Sequence, residues 1–364
     1  MGTLHEAATA GQSVWLDNLK RSMFGDGSLA KLIADGLRGM TSNPSIFDKS
    51  ISHSADYDDQ LRQIAKSDDD ERAFELLAIR DIQGACDLFR PLYDHTHGGD
   101  GFVSLEVSPR LARDTAATAA AAKRLFAEVA RPNVMIKIPG THACLPAIEA
   151  SIAAGININV TLLFGVDAYL ACLDAYTCGL EQLRARGGDL SKVASVASFF
   201  LSRIDTAVDK KLPDGDKLRG TAAVANAKVA YAAYEGMLKS PRWQSLAKSG
   251  ARPQRLLWAS TSTKNPAYDK LLYVAPLVGR DTVNTMPDDT LVELREHGAG
   301  RVVDGAITKE LDAATRQLAD LAGKGVSLRA VTDQLLDEGV VAFEKSFDSL
   351  LAAVAGKRKQ TGGK

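Results

Sequence analysis

Val134-Met135-Ile136-Lys137-Ile138-Pro139-Gly140 is a short apolar run with one basic residue inside it. The pattern predicts a buried strand. Lysine is rare in such a run, because burying an ammonium without a partner is costly. Desolvation favours the neutral amine, whose lone pair can attack a carbonyl and form a Schiff base. The plain alternative is a lysine at a strand end that snorkels to solvent. The surrounding sequence decides between them.

Seven further strand candidates flank this one. Residues 13–19, 39–42 and 101–107 precede it; 157–163, 194–200, 255–262 and 281–285 follow. Helical patterns lie between or after them, over 68–92, 115–130, 166–186, 219–238, 289–297 and 309–354. The long stretch between the second and third strands predicts extra helices there. Strands alternating with helices predict a parallel sheet with crossover connections. Eight of them predict an α/β fold, a single-domain (β/α)8 TIM barrel with extra helices over residues 1–355. Residues 356–364, with Lys357, Arg358 and Lys359, predict a flexible basic tail. The rival, a doubly wound sheet, usually carries a glycine-rich first turn. No G-x-G-x-x-G follows an early strand here, and no G-x-x-x-x-G-K-[ST] occurs.

The chain of 364 residues is 45% hydrophobic, with a net charge of −1. That balance gives no electrostatic ground for nucleic acid or a membrane surface as partner. No secretory pattern opens the sequence, and no apolar stretch reaches the roughly 18 to 20 residues that span a bilayer. Cys86, Cys144, Cys172 and Cys178 lack metal-ligand spacing and are expected to be reduced thiols, so a soluble cytoplasmic protein is expected.

Alternation along the strands gathers polar residues on one face. Ser104, Glu106 and Ser108 share a face, as do Asn157, Asn159 and Thr161. Ser260, Ser262 and Lys264 do so if the seventh strand stays extended. Each residue alone has a plain reading: Ser or Asn as satisfied hydrogen-bonders, Glu106 as a surface group, Asp17 as a helix cap. Together they are harder to dismiss. Lys137, Glu106 and Asp17 fall late in three different strand candidates, and barrel closure would bring them to one mouth. An amine with two carboxylates is the minimum set for Schiff-base chemistry: nucleophile, acid for dehydration, base for carbon–carbon cleavage. His142 and Cys144 have no paired spacing for a metal, so none is expected. Asn159-Val160-Thr161 fits a glycosylation pattern but lies in a predicted buried strand, and no G-x-S-x-G elbow occurs.

At these residues the chain resembles the transaldolases. Gly39-Met40-Thr41-Ser42-Asn43-Pro44-Ser45-Ile46-Phe47 is similar to their first signature. Val134 to Thr141 resembles the stretch around their Schiff-base lysine, and Asn159-Val160-Thr161-Leu162-Leu163-Phe164 their fifth strand. The motifs occur in the family's order, and the likeness spans most of the chain, about 14–286.

The resemblance implies a (β/α)8 barrel with no metal or organic cofactor. It implies transfer of a dihydroxyacetone unit from sedoheptulose 7-phosphate to glyceraldehyde 3-phosphate in the pentose phosphate pathway. Carried over by motif, Lys137 would be the nucleophile and Asp17 the acid/base at the substrate hydroxyl. Glu106 would act through a water held with Thr161. Asn43 and Asn159 would bind the dihydroxyacetone hydroxyls, beside Ser198 and Phe200. Arg203, Ser262 and Lys264 would hold the phosphate. Phosphosugars are the implied partners, and a monomer or homodimer the expected assembly. Two departures stand out. Lys264 occupies the place where many members carry an arginine, which keeps the charge and loses the bidentate fork. The sixth-strand segment, Ala197 to Arg203, lacks the usual proline and glycine. A fructose 6-phosphate aldolase and a non-catalytic phosphosugar-binding barrel are the alternatives. The length argues against the first, and the presence of Lys137, Glu106, Asp17 and Thr161 together against the second.

Overall fold

The computed structural model describes residues 2–64 and 69–362. Eight parallel strands close on themselves in sequence order. They are β1 (Gln12–Leu16), β2 (Gly39–Met40), β3 (Phe102–Glu106), β4 (Val134–Pro139), β5 (Ile158–Leu163), β6 (Ser195–Phe200), β7 (Arg255–Ala259) and β8 (Thr282–Met286). Closure is made by β1 on β8, in register from Gln12 opposite Thr282 to Leu16 opposite Met286. Each expected strand is present, and the fold is the expected barrel.

All six residues of β4 are buried, Lys137 included. This is the mark of a parallel strand covered by helices on one side and by the barrel interior on the other. The helices Thr115–Val129, Leu145–Ala153 and Val166–Ala185 supply that outer cover beside β3 to β5. Extra helices do fill the connection between β2 and β3: Pro44–Ser52, Asp58–Gln63 and the long Asp70–His95. Asp69 caps the last of these, accepting a hydrogen bond from the Arg72 amide at 2.7 Å. Asp68, where that helix was expected to start, lies outside the described residues.

Three expectations need correction. The helical stretch expected over 309–354 is two helices, Leu311–Gly323 and Leu328–Thr361. Gly325 breaks it with φ +79°, a conformation glycine adopts without steric cost. The basic tail is not loose over 356–361. It forms the last turns of Leu328–Thr361, where Lys357 pairs with Asp58 and Arg358 with Asp70. These cations sit at the helix C-terminus, where the dipole favours positive charge. Finally, β7 ends at Ala259 rather than running to residue 262, because Ser260 turns into the left-handed region at φ +54°.

The N-terminal end of the barrel is closed by a polar plug. Asp100 is only 5% exposed and accepts from Ser13 at 2.8 Å, from Arg38, and from Arg255 at 3.1 Å. Arg255 also donates to Ser13 at 2.9 Å. These residues stand at or just before the starts of β1, β2, β3 and β7, so one carboxylate ties four strands. Removing it leaves two largely buried guanidinium groups unpaired. Asp100→Ala is therefore expected to cost about 3–5 kcal/mol of stability, read as a lower urea midpoint. A midpoint within experimental error of the parent would show that the plug does not hold the strands.

Candidate active site

Strand register aligns the polar residues at the opposite, C-terminal end. Glu106 on β3 lies opposite Lys137 on β4, which lies opposite Asn159 on β5. Lys137 is 4% exposed. Its Nζ donates to the Ser42 carbonyl at 3.2 Å and to Glu106 Oε2 at 3.4 Å. The snorkelling alternative is thus excluded: the amine points into the barrel.

Burial pushes the Glu106 carboxyl up to about 7. The nearby Lys137 opposes that shift, and Asp17 adds to it. Asp17, just past β1, is also raised by burial, against the pull of Lys137 and of a hydrogen bond from Thr41, while Asp288 adds to the rise. Thr41 Oγ1 donates to Asp17 Oδ1 at 2.7 Å and meets Thr285 Oγ1 at 2.7 Å. Asp17 is not a helix cap: the next helix, Ser22–Gly25, has Arg21 at its N-cap and no side-chain cap bond. The two carboxylates and the amine expected to meet do meet, in a buried setting where Lys137 opposes the rise of both carboxyls.

A cavity of about 170 Å³ opens here, lined by Asp17, Asn43, Lys137, Thr161, Ser198, Phe200 and Arg203 among others. Asn159 lies just beneath, held from both sides: Nδ2 donates to Ser104 Oγ at 3.0 Å and Oδ1 accepts from Ser198 Oγ at 2.7 Å. Asn43 caps the helix Pro44–Ser52 through Oδ1, which accepts from the Ile46 amide at 3.1 Å. Its side-chain NH2 has no partner among the described residues and is left to the cavity. Glu106 Oε1, Thr161 Oγ1 and Ser108 Oγ are buried without a protein hydrogen-bond partner. Buried polar atoms of this kind are normally met by water or ligand.

Arg203 follows β6, its guanidinium carbon 5.5 Å from the Phe200 ring centre. Burial lowers its pKa from the usual value. Among the described residues no carboxylate lies within ion-pair distance of it. An unpaired, half-buried guanidinium in a cavity wall is suited to an anion.

Ser262 and Lys264 are placed otherwise than expected. The turn at Ser260 takes the chain out of the strand direction, so the three residues do not share an extended face. Ser260 lines the cavity. Lys264 is exposed, donates to Ser262 Oγ at 2.8 Å, and lines a neighbouring cavity with Asp205, Asp209 and Tyr268. The loop that carries it is fixed to the helix Ser202–Asp209, which also bears Arg203. Tyr268 donates to Asp209 at 2.6 Å and Tyr273 to Asp205 at 2.9 Å.

Thr41, Ser45, Thr285 and Phe343 also line the cavity and were not anticipated as site residues. Thr41 and Ser45 belong to the quoted run 39–47, whose β2 portion is too short to show alternation. Phe343 comes from Leu328–Thr361, far from any strand pattern. Its ring centre lies 5.6 Å from Lys137 Nζ.

Comparison with known proteins accords with this geometry. Residues 14–354 match the family model described as transaldolase/fructose-6-phosphate aldolase. A protein named transaldolase from Thiobacillus denitrificans is 49% identical, the match covering 97% of this chain and all of that protein. Transaldolases from Thermobifida fusca and Trichodesmium erythraeum are 48% and 42% identical, with 97% and 98% of this chain and the same shares of theirs covered. By the match across the barrel and by these full-length relatives, the chain belongs to the transaldolase/fructose-6-phosphate aldolase family.

Proposed function

We propose that the protein is a transaldolase of the pentose phosphate pathway. It moves a dihydroxyacetone unit from sedoheptulose 7-phosphate to glyceraldehyde 3-phosphate, giving erythrose 4-phosphate and fructose 6-phosphate. The observation that carries the proposal is the Lys137 amine, buried at the C-terminal end of β4 with Glu106 at 3.4 Å and Asp17 in the same cavity. Relatives matched over nearly their whole length and named transaldolase favour transfer over simple aldol cleavage.

In this reading Lys137 Nζ attacks the ketone carbon of the donor. Proton transfer and loss of water convert the carbinolamine into an iminium. Glu106 serves these steps through a water shared with Thr161, each with a buried oxygen that lacks a protein partner. Asp17 then takes the proton of the hydroxyl two carbons beyond the C=N carbon. The carbon–carbon bond breaks, its electrons pass into the enamine, and the aldose phosphate leaves. The enamine carbon attacks the acceptor aldehyde, Asp17 returns its proton to the new alkoxide, and water releases the product. Asn43 and Asn159 orient the three-carbon unit, with Ser198 holding Asn159. Arg203 receives the phosphate, with Ser262 and Lys264 flanking from the adjoining loop.

Borohydride reduction in the presence of fructose 6-phosphate is expected to leave one three-carbon adduct on Lys137, seen by mass spectrometry. No adduct, or one on another lysine, would sink the assignment. Lys137→Ala should abolish turnover and leave the fold intact, since it removes a costly buried amine.

Asp17→Ala is expected to slow carbon–carbon cleavage by roughly 100- to 10,000-fold, and Schiff-base formation much less. Equal loss of both steps in single-turnover kinetics contradicts its role as the base for cleavage.

Glu106 loses its charge as pH falls through about 7. The rate should therefore decline on the acid side with an inflection near that value. Glu106→Gln should give a slow, flat profile there; an inflection that persists in the variant belongs to another group.

A further inference from the structure

The strands wall Lys137 from below and from the sides. What covers it from above is the helix Leu328–Thr361. Its buried residues Val340, Phe343, Phe347, Leu350 and Val354 recur at helical spacing along one face. That face is pinned at several points. Ser346 bonds Ser45 at 3.0 Å, Ser349 bonds Asp48 at 2.8 Å, and Phe347 meets Phe74 edge-on at 5.8 Å. Gly339 lets the helix come close: a Cβ there would stand 3.0 Å from Leu162 and 3.7 Å from an Arg203 nitrogen. The result is a fixed roof, with Phe343 as its part over Lys137. Phe343 is 8% exposed, lines the cavity, and has its ring centre 5.6 Å from Nζ. That lies inside the roughly 6 Å range over which a ring face attracts a cation.

We infer that Phe343 determines how the enzyme partitions its three-carbon intermediate, by covering the Lys137 nitrogen so that transfer outruns hydrolysis. The inference rests on the reading of Lys137 as the Schiff-base lysine. The iminium formed there is cationic and sits where the ring face is. Once the aldose has left, two outcomes compete. In transfer, the enamine carbon bonds to the acceptor aldehyde carbon, whose oxygen gains a proton. In hydrolysis, the enamine carbon is protonated and water adds to the C=N carbon. The C–N bond then breaks, leaving free dihydroxyacetone and the amine of Lys137. Hydrolysis alone needs a proton delivered to the enamine carbon, since water must attack the C=N carbon on both routes. An apolar ring on a docked helix denies water, the proton source, one approach to the three-carbon unit, and excluding water protects a reactive intermediate.

The test uses the full chain with fructose 6-phosphate as donor and erythrose 4-phosphate as acceptor. The ratio of free dihydroxyacetone to sedoheptulose 7-phosphate is measured. Phe343→Ala should raise that ratio on the order of tenfold, Phe343→Leu about threefold, and Phe343→Tyr should stay near the parent. If the alanine variant fails to fold, the leucine and tyrosine pair still decides. An unchanged ratio in the folded alanine or leucine variant, even with both rates lowered, overturns the inference; a borohydride adduct on Lys137 in the same variant leaves the Schiff-base reading standing. Absence of that adduct in the parent protein overturns both.

Discussion

Most of the chemistry described above depends on one arrangement, an amine and a carboxylate buried side by side on adjacent strands. Neither group is stable alone in such a place, because each loses the hydration that pays for its charge. At 3.4 Å, with a backbone carbonyl as third partner, they form a unit that the barrel can hold. Burial still wins over attraction at Glu106, since its carboxyl is raised despite the adjacent lysine. A carboxyl raised in this way exchanges its proton near neutral pH, which suits a group that must both give and take protons.

The barrel makes this arrangement possible by dividing its labour between two ends. At the N-terminal end the charges are matched, with Asp100 set between two arginines, and the effect is to tie strands together. At the C-terminal end charges are left partly unmatched: among the described residues no carboxylate lies within ion-pair distance of Arg203, and buried oxygens of Glu106 and Thr161 lack protein partners. Unmatched polar groups lower stability where they stand and provide interaction for a substrate that brings the missing partners. Two backbone features serve the same end. A bulge between Val160 and Leu163 takes in Thr161 on β5, with Leu162 at φ +61°, and the left-handed Ser260 terminates β7. Both sit at the rim, where such irregularities redirect side chains.

The strands and the core of the site were legible in the sequence because both depend on local pattern. A buried strand reads as a short apolar run, and period-two alternation marks what faces inward, which is how Glu106, Asn159 and Thr161 could be grouped. Lys137 stood out as a charge in an apolar run. Lys228 shows why that oddity needed company. It is also buried, on a helix, yet its Nζ is taken up by the Lys309 carbonyl at 2.6 Å, and among the described residues no carboxylate lies within ion-pair distance of it. What stayed hidden depends on chain reversal and distant packing. The exit of Ser262 and Lys264 from the strand face follows from one backbone angle at Ser260. The order of the C-terminal turns follows from ion pairs with Asp58 and Asp70, nearly 300 positions earlier. The place of Phe343 over the lysine follows from helix docking that no local pattern encodes.

The roof helix comes after every strand in the chain, and β1 finds its second partner only when β8 has been made. Synthesis runs from the N-terminus, so Lys137, Glu106 and Asp17 are all exposed on the ribosome well before the barrel can close or the cavity can be covered. During that interval all three side chains are solvated, and none has the enclosure that the closed and covered barrel gives it. The cavity is thus completed by the last stages of assembly. A chain stopped before the roof helix carries every strand residue of the cavity without its cover.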